Sequence, residues 1–257
     1  MELLSEVKEG VQVLTFNRPD VFNSCNRALA LMLQSKLDEA ASNSEVRAVV
    51  ITGTGKAFCA GQDLAEATDP NGPELKNIVK DHYNPIIRKI VELEKPVIAA
   101  VNGVAAGAGA NIALACDIVF AKESASFIQA FSKIGLIPDS GGTFMLPRLV
   151  GHQKAVALMM TGDKVMAKEA EAMNMIYKSV ADDEFDETVM NFAKKLAQMP
   201  TRGLGLTKKA VRLSYDNNLI DQLEVEGRLQ TEAGETKDFV EGTTAFLEKR
   251  RPVFKGE

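Results

Sequence analysis

Residues 97–121 read VIAAVNGVAAGAGANIALACDIVFA, twenty-five positions with Asp117 as the only charge. An apolar run of that length could pass for a membrane span. Its glycine and alanine content, with Asn102 and Asn111 inside it, instead fits a buried strand, a glycine-rich turn, a helix and a second buried strand. Val97 to Val101 is the first strand, the helix runs through Cys116, and Ile118 to Ala121 is the next strand. Val46 to Thr52, closed by Gly53-Thr54-Gly55, is another β-branched run without alternation, the pattern of a strand covered on both faces. Strand, turn and helix repeating in this way predict an α/β fold built from stacked βα units with parallel pairing.

Outward from that core, Val7, Val11, Val13 and Phe16 flank Lys8-Glu9-Gly10 with near-alternating apolar residues and predict an opening β-hairpin. The spacing of Leu29, Met32, Leu33 and Leu37 predicts a helix over 27–42. Residues 65–95 are the least regular. Pro70, Gly72 and Pro73 break the start, and Pro85 interrupts a helical pattern of Leu75, Val79, His82, Ile86 and Ile90, so a mobile or variable cover is expected there. His82 falls on the apolar stripe and reads as a packing residue. Beyond residue 150 the pattern is helical: 152–161, 167–173, 183–198, 207–215, 219–232 and 236–249. The expected division is an α/β core over 1–200 and a C-terminal helical region over 201–257.

The chain of 257 residues can bury a large core without disulfides. Its three cysteines and two histidines have no metal-ligand spacing, so neither a metal site nor a Ser/His/Asp triad is expected. A net charge of −5 repels nucleic acid. The acidic N-terminus, with Glu2, Glu6 and Glu9, lacks a signal-peptide pattern, and a cytoplasmic protein is expected. Gly107-Ala108-Gly109 is too short for a dinucleotide fingerprint, and no acid closes a second strand ~20 residues on.

Ile137-Pro138-Asp139-Ser140-Gly141-Gly142-Thr143 leaves an apolar run and enters a helix with one acid on its tip. Pro138 restricts the backbone on both sides of itself, and the glycines let main chain pass close to a ligand. Asp139 is therefore a candidate catalytic carboxylate. The residues alone equally allow it to be the cap of the helix that follows.

Five segments in order settle the family resemblance: Phe16-Asn17-Arg18-Pro19, residues 57–64 (AFCAGQDL), residues 101–109 (VNGVAAGAG), residues 137–143 (IPDSGGT) and residues 245–250 (AFLEKR). Together they resemble the crotonase, or enoyl-CoA hydratase/isomerase, superfamily over essentially the whole length. The resemblance implies a stacked ββα spiral core with a C-terminal α-helical trimerisation region, and an acyl-CoA thioester substrate whose enolate is stabilised by two backbone N–H groups. By position those are the N–H groups of Gln62 and Ala108. It implies no cofactor, since CoA is part of the substrate, and a homotrimer or homohexamer. Substrate contacts are expected at Phe22, Ala60, Leu64 and Phe131, and at Phe246 and Lys249, the last two supplied by the same or a neighbouring subunit. Lys249 also reads as a solvated residue of the last helix, and Asp63 as a stabiliser of its own loop.

Hydratases of the superfamily hold water with two glutamates, and here Asn111 and Phe131 occupy those positions. The resemblance therefore implies an isomerase in which Asp139 moves the proton. Residues 133–143, with Leu146-Pro147-Arg148 after them, look closest to the group that converts the ring epoxide of phenylacetyl-CoA into the seven-membered oxepin. A Δ3,Δ2-enoyl-CoA isomerase of fatty-acid oxidation is the alternative, and a non-catalytic binding protein of the same fold is the alternative of another class. Pocket walls are expected from residues 65–95 and from Phe131, Ile134 and Phe144.

Overall fold

The computed structural model describes residues 1–257. The opening hairpin pairs β1 (Leu3–Lys8) with β2 (Val11–Phe16) across Glu9 and Gly10, both at positive φ. Left-handed backbone at both turn positions matches the twist of the strands it joins. A 3₁₀ turn (Pro19–Val21) leads to α1 (Arg27–Ser42), which starts at Asn26, whose side chain accepts the Leu29 N–H at 2.9 Å.

The middle of the chain is a threefold repetition. In the first unit β3 (Ala48–Gly53) and the three-residue β4 (Ala57–Cys59) precede α2 (Leu64–Ala67), α3 (Leu75–Asn77), a π-helical turn (Ile78–Tyr83) and α4 (Asn84–Glu92). In the second, β5 (Val97–Val101) and β6 (Val104–Ala106) precede α5 (Ala108–Leu114). In the third, β7 (Ile118–Lys122) and β8 (Ser126–Ile128) precede a 3₁₀ turn (Ala130–Ile134) and α6 (Gly142–Val150). There follow α7 (His152–Thr161), β9 (Lys164–Met166), α8 (Ala167–Ala172), β10 (Lys178–Val180), α9 (Phe185–Ala197), α10 (Thr201–Leu213), α11 (Leu219–Gly234) and α12 (Lys237–Leu247).

Each unit gives its long strand to a six-stranded sheet, order β1-β2-β3-β5-β7-β10, and its short strand to a four-stranded sheet, order β4-β6-β8-β9. All neighbours in the larger sheet beyond the hairpin are parallel, as are β4, β6 and β8. The larger sheet is covered on both faces, which explains why its strands lack alternation. Val50, Ile98 and Phe120 face Phe185, Val189 and Ala193 of α9, whereas Val49, Ile51, Val97 and Ala99 face the main core with Leu29, Leu33 and Leu37 of α1.

Two expectations need correcting. Within the expected cover, residues 65–77 are all exposed or half-buried, but from residue 78 onward the segment is packed into the core, with Ile78, His82, Tyr83, Ile86 and Ile90 buried. Pro85 comes just after the π-helical turn, and the carbonyl of Asp81, four residues before it, accepts Gln34 Nε2 at 2.9 Å in place of a helical N–H. The helix expected at 207–215 spans Thr201–Leu213. His82 is buried as a packing residue, and burial pulls its pKa down. No helix is long and apolar enough to cross a membrane.

The C-terminal tail returns to the core. Buried Asp238 accepts the N–H groups of Lys255 and Gly256, each at 2.7 Å, and Arg47 donates to the Phe254 carbonyl at 2.8 Å.

Candidate active site

The sheet pairing dictates where the glycine-rich turns meet. Because β4 and β6 are parallel neighbours, with Cys59 opposite Ala105, the segments leaving them emerge side by side. Those segments are Gly61-Gln62 and Gly107-Ala108. A Cβ placed on Gly61, whose φ is 93°, would stand 2.9 Å from Ala106 O and 3.5 Å from Ala108 N. Gly107 has a φ of 53° and a ψ of −127°, a conformation that only glycine adopts at low cost. Ala108 is the first residue of α5, so its N–H has no intrahelical acceptor, and no carbonyl takes the Gln62 N–H. Two main-chain donors on adjacent turns are thus left free, one of them at a helix N-terminus where partial positive charge accumulates. Such a pair can hold an oxygen that gains negative charge.

The Gln62 side chain is tied on both ends. Its Nε2 donates to Glu66 Oε2 at 3.2 Å, and its Oε1 accepts from the Tyr83 hydroxyl at 2.8 Å. Asp63 stabilises the same loop, accepting the Ala65 N–H at 3.0 Å and pairing with Arg18 at 2.8 Å.

Asp139 reaches the site from the third unit. Its main-chain O accepts Asn111 Nδ2 at 2.8 Å, and Asn111 lies three residues after Ala108 on α5. The capping reading of Asp139 fails. Gly141 is the N-cap of α6, no side chain caps that helix, and the Asp139 carboxylate takes the Ser140 hydroxyl at 2.8 Å instead. Burial raises the Asp139 pKa against the opposing Ser140 hydrogen bond. The Asp139 charge is among the influences that raise the Tyr83 pKa, after burial and the Cys25 and Cys59 thiols, so the two side chains share one environment. Phe131 is buried with its ring edge 3.9 Å from a Cβ built on Gly107, and Ile87 lies 3.4 Å from one built on Gly141. The half-buried Asp139 is thus tied through Asn111 to the helix that begins with the free Ala108 N–H, with Phe131 and Ile87 close to the neighbouring Gly107 and Gly141. That arrangement can take a proton from carbon and stabilise the resulting enolate.

The other sequence-predicted residues divide. Ala60 and Leu64 flank Gln62, with Leu64 exposed, and the Ala60 N–H donates to Phe22 O at 3.0 Å. Phe22 is exposed at a φ of 52°. These three sit at the rim around the Gln62 turn. Phe246 and Lys249 are not brought to that rim. Phe246 is 82% exposed and lines a groove of about 660 Å³ formed by α12, Pro200, Gly203, Ala233 and Phe254. Ile134 is exposed, and Phe144 packs on Tyr215 at 5.7 Å and under Arg148 at 3.7 Å. Tyr83, Ile87 and Gln129 were not anticipated. Tyr83 and Ile87 lie in the stretch that Pro85 interrupts but outside its apolar pattern of Leu75, Val79, His82, Ile86 and Ile90, and Gln129 belonged to no motif.

A family model described as enoyl-CoA hydratase/isomerase matches residues 6–257. Over 258 residues the chain is 45% identical to the 1,2-epoxyphenylacetyl-CoA isomerase of Escherichia coli, covering 99% of this chain and 98% of that protein. It is also 45% identical over 251 residues to a Rhodobacter capsulatus protein named "Probable enoyl-CoA hydratase", covering 98% and 96%. The crystal structure of an enoyl-CoA hydratase from Bacillus anthracis superposes with a TM-score of 0.93 at 34% identity, covering all of both chains.

Proposed function

The chain belongs to the enoyl-CoA hydratase/isomerase family, and from that premise we propose that it isomerises an acyl-CoA thioester through an enolate, with Asp139 as the proton carrier. Membership makes it an enzyme of the acyl-CoA isomerase or hydratase type. The identity of the groups near Asp139 carries the assignment of isomerisation. Of the two hydratase glutamate positions, one is Asn111, whose amide is committed to Asp139 O, and the other is Phe131, which is apolar and buried. Neither can hold and deprotonate water. Asp139 is the remaining carboxylate, and burial raises its pKa, toward the range where a base both accepts and returns a proton.

In the proposed cycle the thioester oxygen sits between the Gln62 and Ala108 N–H groups. Asp139 takes a proton from the carbon beside the thioester, the electron pair moves onto the oxygen, and the same carboxyl group returns the proton to a further carbon. Substrate and product have equal composition, and no water is consumed. Each oxyanion donor supplies roughly 3 to 4 kcal/mol of barrier lowering in enzymes of this kind. The acyl group we assign is the ring 1,2-epoxide of phenylacetyl-CoA, with oxepin-CoA as product: the carbon–carbon bond shared by the six-membered ring and the epoxide breaks as its electrons join the ring diene, and the proton that Asp139 takes from the carbon beside the thioester ends on a ring carbon. The support is the relative of that name at 45% identity over nearly the whole chain, together with Phe131 beside Gly107 and Ile87 beside Gly141, two apolar side chains close to the turns that carry the proposed groups. A linear Δ3-enoyl-CoA would use the same groups.

Phe22, Ala60, Leu64 and Phe131 are the proposed substrate contacts. Phe246 and Lys249 would meet CoA only across a subunit boundary, in a homotrimer or a pair of trimers. The exposed Phe239, Phe246 and Leu247 of α12 support such an assembly. The reaction as proposed needs no cofactor beyond the CoA of its substrate, and we place the enzyme in the cytoplasm. An acyl-CoA panel turned over in heavy water and read by mass spectrometry tests the reading. Rearrangement without mass gain from water, with deuterium at exchangeable carbons, is expected. Net addition of water would replace isomerisation with hydration.

A further inference from the structure

We propose that Asn111 and Gln129 form an amide relay that positions the Asp139 carboxylate by holding the main chain of its loop. The inference rests on the reading of Asp139 as proton carrier. Gln129 Nε2 donates to Asn111 Oδ1 at 2.8 Å, and Asn111 Nδ2 donates to Asp139 O at 2.8 Å. Asn111 is 1% exposed and Gln129 5%. Both amides are therefore withdrawn from water and matched donor to acceptor in one direction, which fixes which end of Asn111 faces the loop.

The geometry gives the relay a purpose. Asn111 is one turn beyond Ala108 on α5, a rise of about 4.5 Å on the same side of the helix. One rigid helix thus carries a free N–H at its first residue and, a turn later, the side chain that holds the acid's loop. The separation between enolate oxygen and carboxylate is then set by a helical turn and not by a loop. The loop needs holding, because Ser140 adopts a φ of 51°, left-handed backbone in a residue with a Cβ. Besides Asn111, the only group bonded to Asp139 O is the Gly142 N–H, at 2.9 Å. The contact is also tight: a Cβ on Gly142 would lie 2.3 Å from Asn111 Nδ2.

Gln129 is the N-cap of the 3₁₀ turn that carries Phe131, so the relay joins the apolar wall to the acid. Its Oε1 is buried without a partner, and the Nε2 contact to Asn111 is what holds it in this orientation. An amide at 111 suits both tasks. It donates to a carbonyl and accepts from an amide, which neither a carboxylate nor an aliphatic side chain of that size does.

The test compares full-length Asn111→Leu, Gln129→Met and the double variant with the parent on the acyl-CoA it turns over, recording kcat, KM, the pH profile of kcat and thermal midpoints. Misplacement of a reacting group by a fraction of an ångström to an ångström costs up to about a hundredfold, so Asn111→Leu is expected to lose at least about tenfold in kcat. KM should stay within about threefold, because thioester binding does not use the relay. The acid limb of kcat should move to lower pH, because a freed loop lets water reach Asp139. Gln129→Met, with Asn111 retained, should shift both quantities in the same direction by less, and the double variant should be no worse than Asn111→Leu. A folded Gln129→Met protein with parental kcat and an unmoved acid limb overturns the relay. Loss of thermal stability alone, with kinetics unchanged, assigns these amides to packing and overturns it too. Parallel measurement of Asp139→Asn separates the two failures, since an active Asp139→Asn enzyme refutes the proton-carrier reading itself.

Discussion

The hydroxyl of Tyr83 donates to Gln62 Oε1 at 2.8 Å, tying the buried end of the π-helical turn to the loop whose main-chain N–H is left free. Neither partner could be linked to the other from sequence, being twenty-one residues apart on opposite sides of a proline- and glycine-broken stretch. Removing the hydroxyl leaves Gln62 Oε1 unpaired and the turn free to shift. Tyr83→Phe should fold, lose about 1 kcal/mol of stability and lower kcat more than it raises KM. Steady-state kinetics with a denaturation curve check this, and a pure KM effect would remove the tie from the oxyanion geometry.

Ala108 contributes through its main chain, so side-chain size should matter little. At the first residue of a helix proline costs no intrahelical hydrogen bond, which makes Ala108→Pro a selective deletion of the donor. Its turnover should fall by about 10²- to 10³-fold, whereas Ala108→Gly should be mild. Equal, small losses in both would exclude Ala108 N–H from the chemistry.

Gly142→Ala separates helix propensity from packing. Propensity alone favours alanine in α6 by about 0.5 to 1 kcal/mol. The new methyl would overlap Asn111 Nδ2, and overpacking of that kind costs about 1 to 3 kcal/mol. A lowered thermal midpoint is expected. A raised one would show that Asn111 yields easily.

The raised pKa of Asp139 has a sign that stability can read. Burial makes the folded state hold this proton more tightly than the unfolded chain does. The associated stability is present in full below the ordinary carboxylate range and is lost as pH rises through the higher folded value. Asn carries no charge to bury. The thermal midpoint of Asp139→Asn relative to the parent should therefore be higher at neutral pH than in acid, and the reverse trend would contradict a desolvated carboxylate.

How far the sequence could be read followed physical signals. The hairpin was legible because Val11, Val13 and Phe16 alternate around a Glu9-Gly10 turn, and α1 because Leu29, Met32, Leu33 and Leu37 keep helical spacing. The second sheet was not, since strands of three residues such as Val104–Ala106 are too short to display a period. The start of α10 was masked by Gly203 and Gly205. The structure explains Gly205: a Cβ there would fall 2.4 Å from Glu94 O. In the site, Gln62, Ala108 and Asp139 lie in contiguous motifs and could be named. Tyr83, Ile87 and Gln129 are assembled only by the pairing of the short strands and the packing of α4, which no local pattern encodes.

The most direct test of the central claim is deuterium uptake and turnover by Asp139→Asn on the acyl-CoA that the parent isomerises. Asparagine keeps the shape and can still accept the Ser140 hydroxyl, but it carries no proton at neutral pH. Turnover should fall by about 10² to 10⁴, with uptake from heavy water falling in step and acyl-CoA affinity retained. Parental turnover and uptake in that variant would contradict the assignment of the proton to Asp139.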